Sequence, residues 1–181
     1  TTFNPGSGFS GVVYSSQILT DGNIIIGGDF VSCNGVVVNN IARLDTDGNL
    51  DSTFYSGIGA DSIIYTTSIQ SDGGILIGGN FTKYNGTSIN RITRLNPNGN
   101  LDIAFNPGSG FFGTVYTASI QSDHKILVAG HFTKYNGVER NHISRLNIDG
   151  SLDATFNPGS GADYDIYAMA IQNDGKIVIG G

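Results

Sequence analysis

An all-β protein assembled from a repeated unit is what this sequence predicts, and three observations carry the prediction. Residue types recur with a fixed step of 51: Phe3, Phe54, Phe105 and Phe156, then Tyr14, Tyr65, Tyr116 and Tyr167, then Gly28, Gly79, Gly130 and Gly181. The composition lacks helix formers: of 181 residues 27 are Gly, and the fifteen acids are Asp except for Glu139. Ala, Glu and Lys favour helices, whereas β-branched and aromatic residues suit strands, and Gly, Asn and Asp suit tight turns. Finally, Asp-Gly and Asn-Gly pairs stand between apolar runs, a strong local signal for hairpins.

The repeat divides the chain into units 1–51, 52–102 and 103–153 and a partial unit 154–181, with Thr1-Thr2-Phe3 reading as the tail of a preceding unit. In the first unit, residues 12–19 read as a strand with Tyr14, Ser16 and Ile18 on one face. Thr20-Asp21-Gly22-Asn23 turns it back. In the third copy His124 replaces that Gly, and His is among the residues enriched at positive φ. The return strand, residues 23–30, is continuously apolar, the pattern of a strand covered on both faces. Its Gly27-Gly28 pair predicts a bulge or the close approach of another backbone. Asn34-Gly35, Asn85-Gly86 and Asn136-Gly137 mark the next turn, residues 41–44 form a third strand, and Asp47-Gly48 leads into a short fourth strand ending near Phe54.

Four antiparallel strands in units of about 40 to 50 residues are the signature of propeller blades. The predicted fold is therefore a β-propeller of four-stranded blades, about three and a half of them present. The alternative, a β-solenoid-like array, has shorter periods and lacks hairpin turns of this kind. A ring of four such units needs about 204 residues, more than the 181 here. The sequence is thus expected to be a fragment of a longer chain, or to close by self-association through open blade edges, because natural proteins avoid unpaired edges.

Charge and cysteine usage narrow the function classes. Charged residues make up 13% and the net charge is −6, a poor match to nucleic acid, whose affinity comes largely from Lys and Arg. No run of 18 apolar residues occurs, so no membrane span is expected. Cys33 stands alone, which excludes an internal disulfide and a multi-cysteine zinc site. It occupies the column of Tyr84 and Tyr135 and reads as a drifted core or loop position with an unreactive thiol, since no basic partner adjoins it.

The segments LDTDGNLDSTF, LNPNGNLDIAFNPGSG and LNIDGSLDATFNPGSG, each followed by a Val-Tyr or similar strand, an Asp-Gly-type turn and a Gly-Gly-type strand, resemble the delta-60 repeat. That family is a bacterial propeller-like repeat of largely unknown function, common in large secreted or surface proteins. The resemblance covers the whole chain. It implies a propeller fold and an extracellular or cell-surface location, and it supplies no catalytic residues. The second copy departs from it at Tyr55-Ser56-Gly57-Ile58, where the other copies read Asn-Pro-Gly-Ser, so that loop is expected to differ in shape.

Four sets of residues merit a functional reading. Arg43, Arg94 and Arg145 recur in every complete unit. Each is expected to pair with a repeated Asp, from either the Asp21, Asp72, Asp123 and Asp174 column or the Asp51 column, because a partly buried Arg needs a partner. The stretch Asp45-Thr46-Asp47-Gly48-Asn49-Leu50-Asp51 has oxygen ligands at spacings that suit calcium. The second copy keeps one acid, Asp102, so the stretch reads as an Asx-rich turn, with calcium as the alternative. Asp29, Asn80 and His131 share the column after the Gly-Gly strand; they read as a variable, solvated strand end, and in a closed propeller they would ring the axis as a mixed set able to bind a metal or a polar ligand. Where the copies differ most, Phe111, Phe112 and Tyr164 are the exposed-aromatic candidates for a sugar or protein contact, since loops on rigid scaffolds carry binding.

The Gly-Ser-Gly repeats are followed by no helix, so neither a phosphate loop nor a hydrolase elbow applies. An enzyme needs one constellation of titrating groups, and Asp29 with His131 is all the sequence offers. The expected function is a noncatalytic interaction or display module of an exported bacterial protein, with no cofactor and with a protein or glycan surface as partner. A lectin-like or calcium-assisted carbohydrate-binding module is the alternative.

Overall fold

The computed structural model describes residues 2–181; Thr1, which opens the first unit and its Thr1-Thr2-Phe3 tail, lies outside them. The first unit holds β1 (Val12–Ile18), β2 (Ile24–Asp29), β3 (Ser32–Cys33), β4 (Val36–Val37) and β5 (Ile41–Leu44). The second repeats it as β6 (Ile64–Ile69), β7 (Ile75–Gly79), β8 (Lys83–Tyr84), β9 (Thr87–Ser88) and β10 (Ile92–Leu95). The third has β11 (Phe111–Ile120), β12 (Ile126–Tyr135), β13 (Val138–Glu139) and β14 (Ile143–Leu146), and the partial unit has β15 (Ala168–Ile171) and β16 (Ile177–Gly180).

The sheets run β1-β2-β5, β6-β7-β10, β11-β12-β14 and β15-β16. Every strand pair is antiparallel, so the chain is a series of meanders with the layout of propeller blades and not a coil of parallel strands. Among the described residues no helix is long and apolar enough to cross a membrane.

The turns follow from residue type. Asn34 and Gly35 both have positive φ, 49° and 78°, as a two-residue type I′ hairpin requires. His124 sits at φ 66° in the place other copies give to Gly. The loop at Tyr55-Ser56-Gly57-Ile58 corrects an expectation, because it has the same shape as its counterparts. Gly57 and Gly59 keep the left-handed φ of Gly6 and Gly8 and of Gly108 and Gly110. Asn85 Oδ1 accepts the Ile58 N–H as Asn34 Oδ1 accepts the Gly8 N–H and Asn136 Oδ1 the Ser109 N–H. The glycines and the facing Asn keep the backbone in shape, although Tyr55 replaces the Asn whose side chain caps the turn in the other copies. There Asn4, Asn106 and Asn157 accept the N–H of Gly6, Gly108 and Gly159.

The fourth strand is shorter than its apolar residues imply. It survives as single bridges, Leu44 to Leu50, Leu95 to Leu101 and Leu146 to Leu152. Beyond each bridge Asp51 and Asp153 accept the N–H groups of Thr53 and Thr155, and Asp102 that of Ala104. These local bonds curl the chain away from the ladder.

The Gly-Gly pair has two separate causes. The β1 to β2 register shifts between Val13 and Ser15, β6 to β7 between Ile64 and Thr66, and β11 to β12 between Val115 and Thr117. Each shift places a tyrosine, Tyr14, Tyr65 or Tyr116, in a bulge, where the extra residue leaves the ladder and its side chain is re-aimed. This ends the simple alternation expected of Tyr14 with Ser16 and Ile18. Opposite the bulge, a Cβ on Gly28, Gly79 or Gly130 would lie 2.2, 2.1 or 2.2 Å from a carbonyl oxygen of the paired strand. The preceding glycine answers to the neighbouring unit: a Cβ on Gly27 or Gly78 would lie 2.7 or 2.6 Å from a methyl of Ile64 or Val115.

The tyrosines so aimed stack into one column, with ring centroids 5.0 Å apart for Tyr14 and Tyr65, 5.3 Å for Tyr65 and Tyr116, and 5.0 Å for Tyr116 and Tyr167. The first strands of successive sheets lie side by side there, joined by hydrogen bonds such as Ser15 to Thr67 and Ser68 to the Ala118 carbonyl. Away from that line, apolar side chains fill the space between sheets. One cluster combines Ile25 and Ile41 of the first unit with Ile64, Ile75, Phe81 and Tyr84 of the second, and each such fully buried Ile contributes about 1.5–3 kcal/mol. Tyr84 donates its hydroxyl to the Gly99 carbonyl at 2.8 Å and Tyr135 to that of Gly150. Burial pushes both phenols upward from their ordinary pKa. Cys33, in the same column, is buried against Phe30 and Leu44.

Candidate functional site

The repeated Arg side chains are committed to architecture. Arg43 Nε donates to Asp51 Oδ2 at 2.7 Å, Arg94 Nε to Asp102 at 2.6 Å and Arg145 Nε to Asp153 at 2.7 Å. Of the two candidate Asp columns it is thus the Asp51 column that reaches them. The other column turns inward on its own hairpin: Asp21, Asp72, Asp123 and Asp174 accept the N–H two residues on, from Asn23, Gly74, Lys125 and Lys176. Each guanidinium also lies over the Phe just past the end of its unit, Phe54, Phe105 or Phe156, at 5.0–5.5 Å. Arg43 and Arg94 reach further, donating to the Pro97 and Ile148 carbonyls of the following unit at 2.7 and 2.8 Å.

The Asx-rich stretch is likewise engaged internally. Asp45 Oδ1 accepts from the N–H groups of Asp47 and Asn49, and Asp51 serves Arg43 and Thr53. Among the described residues no three His, Cys, Asp or Glu side chains are grouped to hold a metal.

The Asp29, Asn80 and His131 column lies at the junctions between units, and its members meet different partners. Asn80 Oδ1 accepts from Thr114 Oγ1 at 3.1 Å and from Arg91, and His131 Nδ1 lies 2.6 Å from Asp165 Oδ1. Asp29 sits near Tyr65, whose phenol is raised by burial first and then by Tyr14 and Asp29. Asp29 and His131 therefore belong to separate junctions and form no common constellation. His142 faces the same carboxylate: its Nδ1 is 3.6 Å from Asp165 and 3.0 Å from the Gly130 carbonyl. Asp165 and Tyr167, whose hydroxyl reaches Asp165 at 3.4 Å, complete a cluster that sequence reasoning missed.

The loop aromatics divide. Phe111 is not exposed: it is 3% accessible and packs at 4.4 Å on both Phe132 and Tyr135, so its assignment as a contact residue is corrected to core. The direct pairing of Phe111 with Tyr135 and of Phe112 with Lys134 turns Phe111 inward and leaves its neighbour outside. Phe112 is 75% and Tyr164 84% accessible. Phe112 stands in a groove of about 640 Å³ between the second and third units, bordered also by Asn90, Arg91, Gly110 and Lys134. Neither Arg91 nor Lys134 stood out in the sequence, because they come from different units and nothing in their spacing joins them. The available signal was the change from Ser10 and Asp61 to Phe112 in one column.

Stacked antiparallel meanders with a shared tyrosine column define a repeat protein of the β-propeller class. A family model described as a domain of unknown function (DUF5122) beta-propeller matches residues 19–54, 70–105 and 121–156, and the chain belongs to that family. Comparison with curated proteins found no match.

Proposed function

We propose that this β-propeller array is a noncatalytic interaction module of an exported, surface-associated bacterial protein, and that its contact surface is the set of loops where the units differ. One observation carries the reading: the repeated polar side chains are used inside the array, whereas Phe112, in a column that is polar in the other units, projects its ring into solvent beside a groove. A large aromatic exposed on a rigid scaffold is an economical contact residue, since it loses little conformational freedom on binding. The module needs no cofactor in this reading, and its partner is a protein or glycan on a surface.

Retention of the purified array on bacterial envelope fractions and on a glycan panel is the test. Phe112→Ala should lose retention while keeping its melting temperature within about 2 °C, as surface substitutions usually do. Turnover of a glycoside, ester, peptide or phosphoester substrate that disappears in His131→Ala would overturn the noncatalytic assignment.

A further inference from the structure

We propose that the groove between the second and third units binds an anionic saccharide, with Lys134 and Arg91 receiving a carboxylate and Phe112 carrying the apolar face of the sugar ring. The inference deepens the binding-module reading and rests on it.

Charge placement is the first support. Arg43, Arg94, Lys125, Arg145 and Lys176 are ion-paired with Asp. The other four cations, Lys83, Arg91, Lys134 and Arg140, form no ion pair among the described residues, and all lie in segments 83–91 and 134–140. Of these four, Arg91 and Lys134 line the groove, and in a chain of net charge −6 two unneutralised cations raise the residence of anions there.

The protein supplies its own comparison one unit earlier. The equivalent groove between the first and second units is about half as large, about 330 Å³, and it has Asp61 in the place of Phe112, next to Lys83. Asp61 Oδ1 accepts the N–H groups of Thr82 at 2.7 Å and Lys83 at 2.9 Å, and Oδ2 accepts the Thr82 hydroxyl at 2.7 Å. That groove is thus furnished with a carboxylate from within. In the third unit the carboxylate is replaced by an exposed ring, the groove is wider, and Arg91 stands where the earlier groove has Asn40.

The donors are held for the task. Arg91, at φ 71°, is anchored through Nη1 to the backbone and side-chain oxygens of Asn80. A guanidinium fixed by one nitrogen presents its remaining donors in the planar fork that matches a carboxylate. Gly110 and Gly113 border the groove beside Phe112. A uronic acid combines the features the site offers to meet: a carboxylate, a C–H face for the phenyl ring, and hydroxyls for a polar rim. An opposing charge stands close by at Glu139, the cross-strand neighbour of Lys134.

The test is calorimetric titration of the full chain with an oligogalacturonate, its neutral methyl ester, a sulfated oligosaccharide and poly-glutamate. Oligogalacturonate should bind with Kd below about 1 mM and weaken with salt, and the methyl ester should bind at least about tenfold more weakly. Lys134→Gln and Phe112→Ala should each weaken binding by about fivefold or more, Glu139→Gln should strengthen it, and Phe112→Asp, which restores the Asp61 arrangement, should abolish it at unchanged melting temperature. Equal binding of the methyl ester overturns the anionic assignment and leaves the binding-module reading standing. Preference for poly-glutamate at the same residues overturns the saccharide, and preference for the sulfated sugar overturns the carboxylate. Absence of binding to all four probes overturns the site itself, while envelope retention still judges the module.

Discussion

Replacing Arg94 by Ala should lower the melting temperature by about 6–12 °C. The guanidinium donates to Asp102 at 2.6 Å, to the Ile148 carbonyl of the next unit at 2.8 Å and to Gln70 Oε1 at 3.1 Å. Alanine leaves Asp102 without its cation and two further oxygens without a donor. Breaking a fully buried pair costs about 3–5 kcal/mol, and an exposed pair at most about 1 kcal/mol. With Arg94 8% and Asp102 19% accessible, a loss of about 3 kcal/mol is expected. A chain of this size shifts by about 2–4 °C per kcal/mol, which yields the stated range in differential scanning calorimetry. Arg94→Lys, which keeps the charge and loses the fork, should cost about half as much. Arg145→Ala should also cost less, because Lys125 still holds Asp153 at 2.8 Å and the acceptors of Arg145, Asp153 and Thr155, lie close by in sequence. Equal shifts for Arg94→Ala and Arg145→Ala, or a shift below about 2 °C for the former, would refute the inter-unit role.

Gly79→Ala drives a Cβ to 2.1 Å from the Ile63 carbonyl oxygen, a clash with backbone that no rotamer relieves. It should cost about 3 kcal/mol or more, read from the urea midpoint, and a neutral outcome would contradict the bulge. Asp51, Asp149 and Asp153 are shifted down: at Asp51 and Asp153 burial pulls upward and is outweighed by hydrogen bonds from Thr53 and Arg43 and from Lys125, Thr155 and Arg145, while Ser151 lowers Asp149. Because their folded values lie below the unfolded value of about 3.9, the stability they supply is present above about pH 4 and is lost as pH falls through the folded values. Urea midpoints should hold from about pH 7 to 5 and fall below about 4, and Asp153→Asn should flatten that fall. The Cys33 thiol is buried and its pKa raised by that burial, so a disulfide reagent should label it only in denaturant; rapid labelling of the native chain would contradict its place in the core.

Local chemistry made most of the fold legible. An Asn-Gly pair writes its positive φ directly into the sequence, and a recurring Arg announces a recurring partner. Which Asp answered it was hidden, because Asp21 and Asp51 each accept the N–H two residues on, and only the folded chain brings Asp51 within reach of Arg43. The Gly-Gly pair signalled close contact without revealing two separate contacts, one within the sheet that takes Gly28, Gly79 and Gly130 and one between sheets that takes Gly27 and Gly78 but admits Ala129. Phe111 and Phe112 are adjacent and chemically identical, so only the register of β11 on β12 decides which is core. The candidate groove was the least legible part, since Arg91 and Phe112 come from different units and meet only when the units stack.

The tyrosine column has a spectroscopic consequence. The chain contains no Trp, so tyrosine dominates its near-ultraviolet circular dichroism and its emission. Four phenols in sequence at 5.0–5.3 Å are close enough for their transition dipoles to couple, and the sign and size of the resulting signal depend on the angle from each ring to the next. The protein thereby carries an optical gauge of its own curvature: any slippage of one unit against its neighbour rotates a dipole and registers in the spectrum without a label.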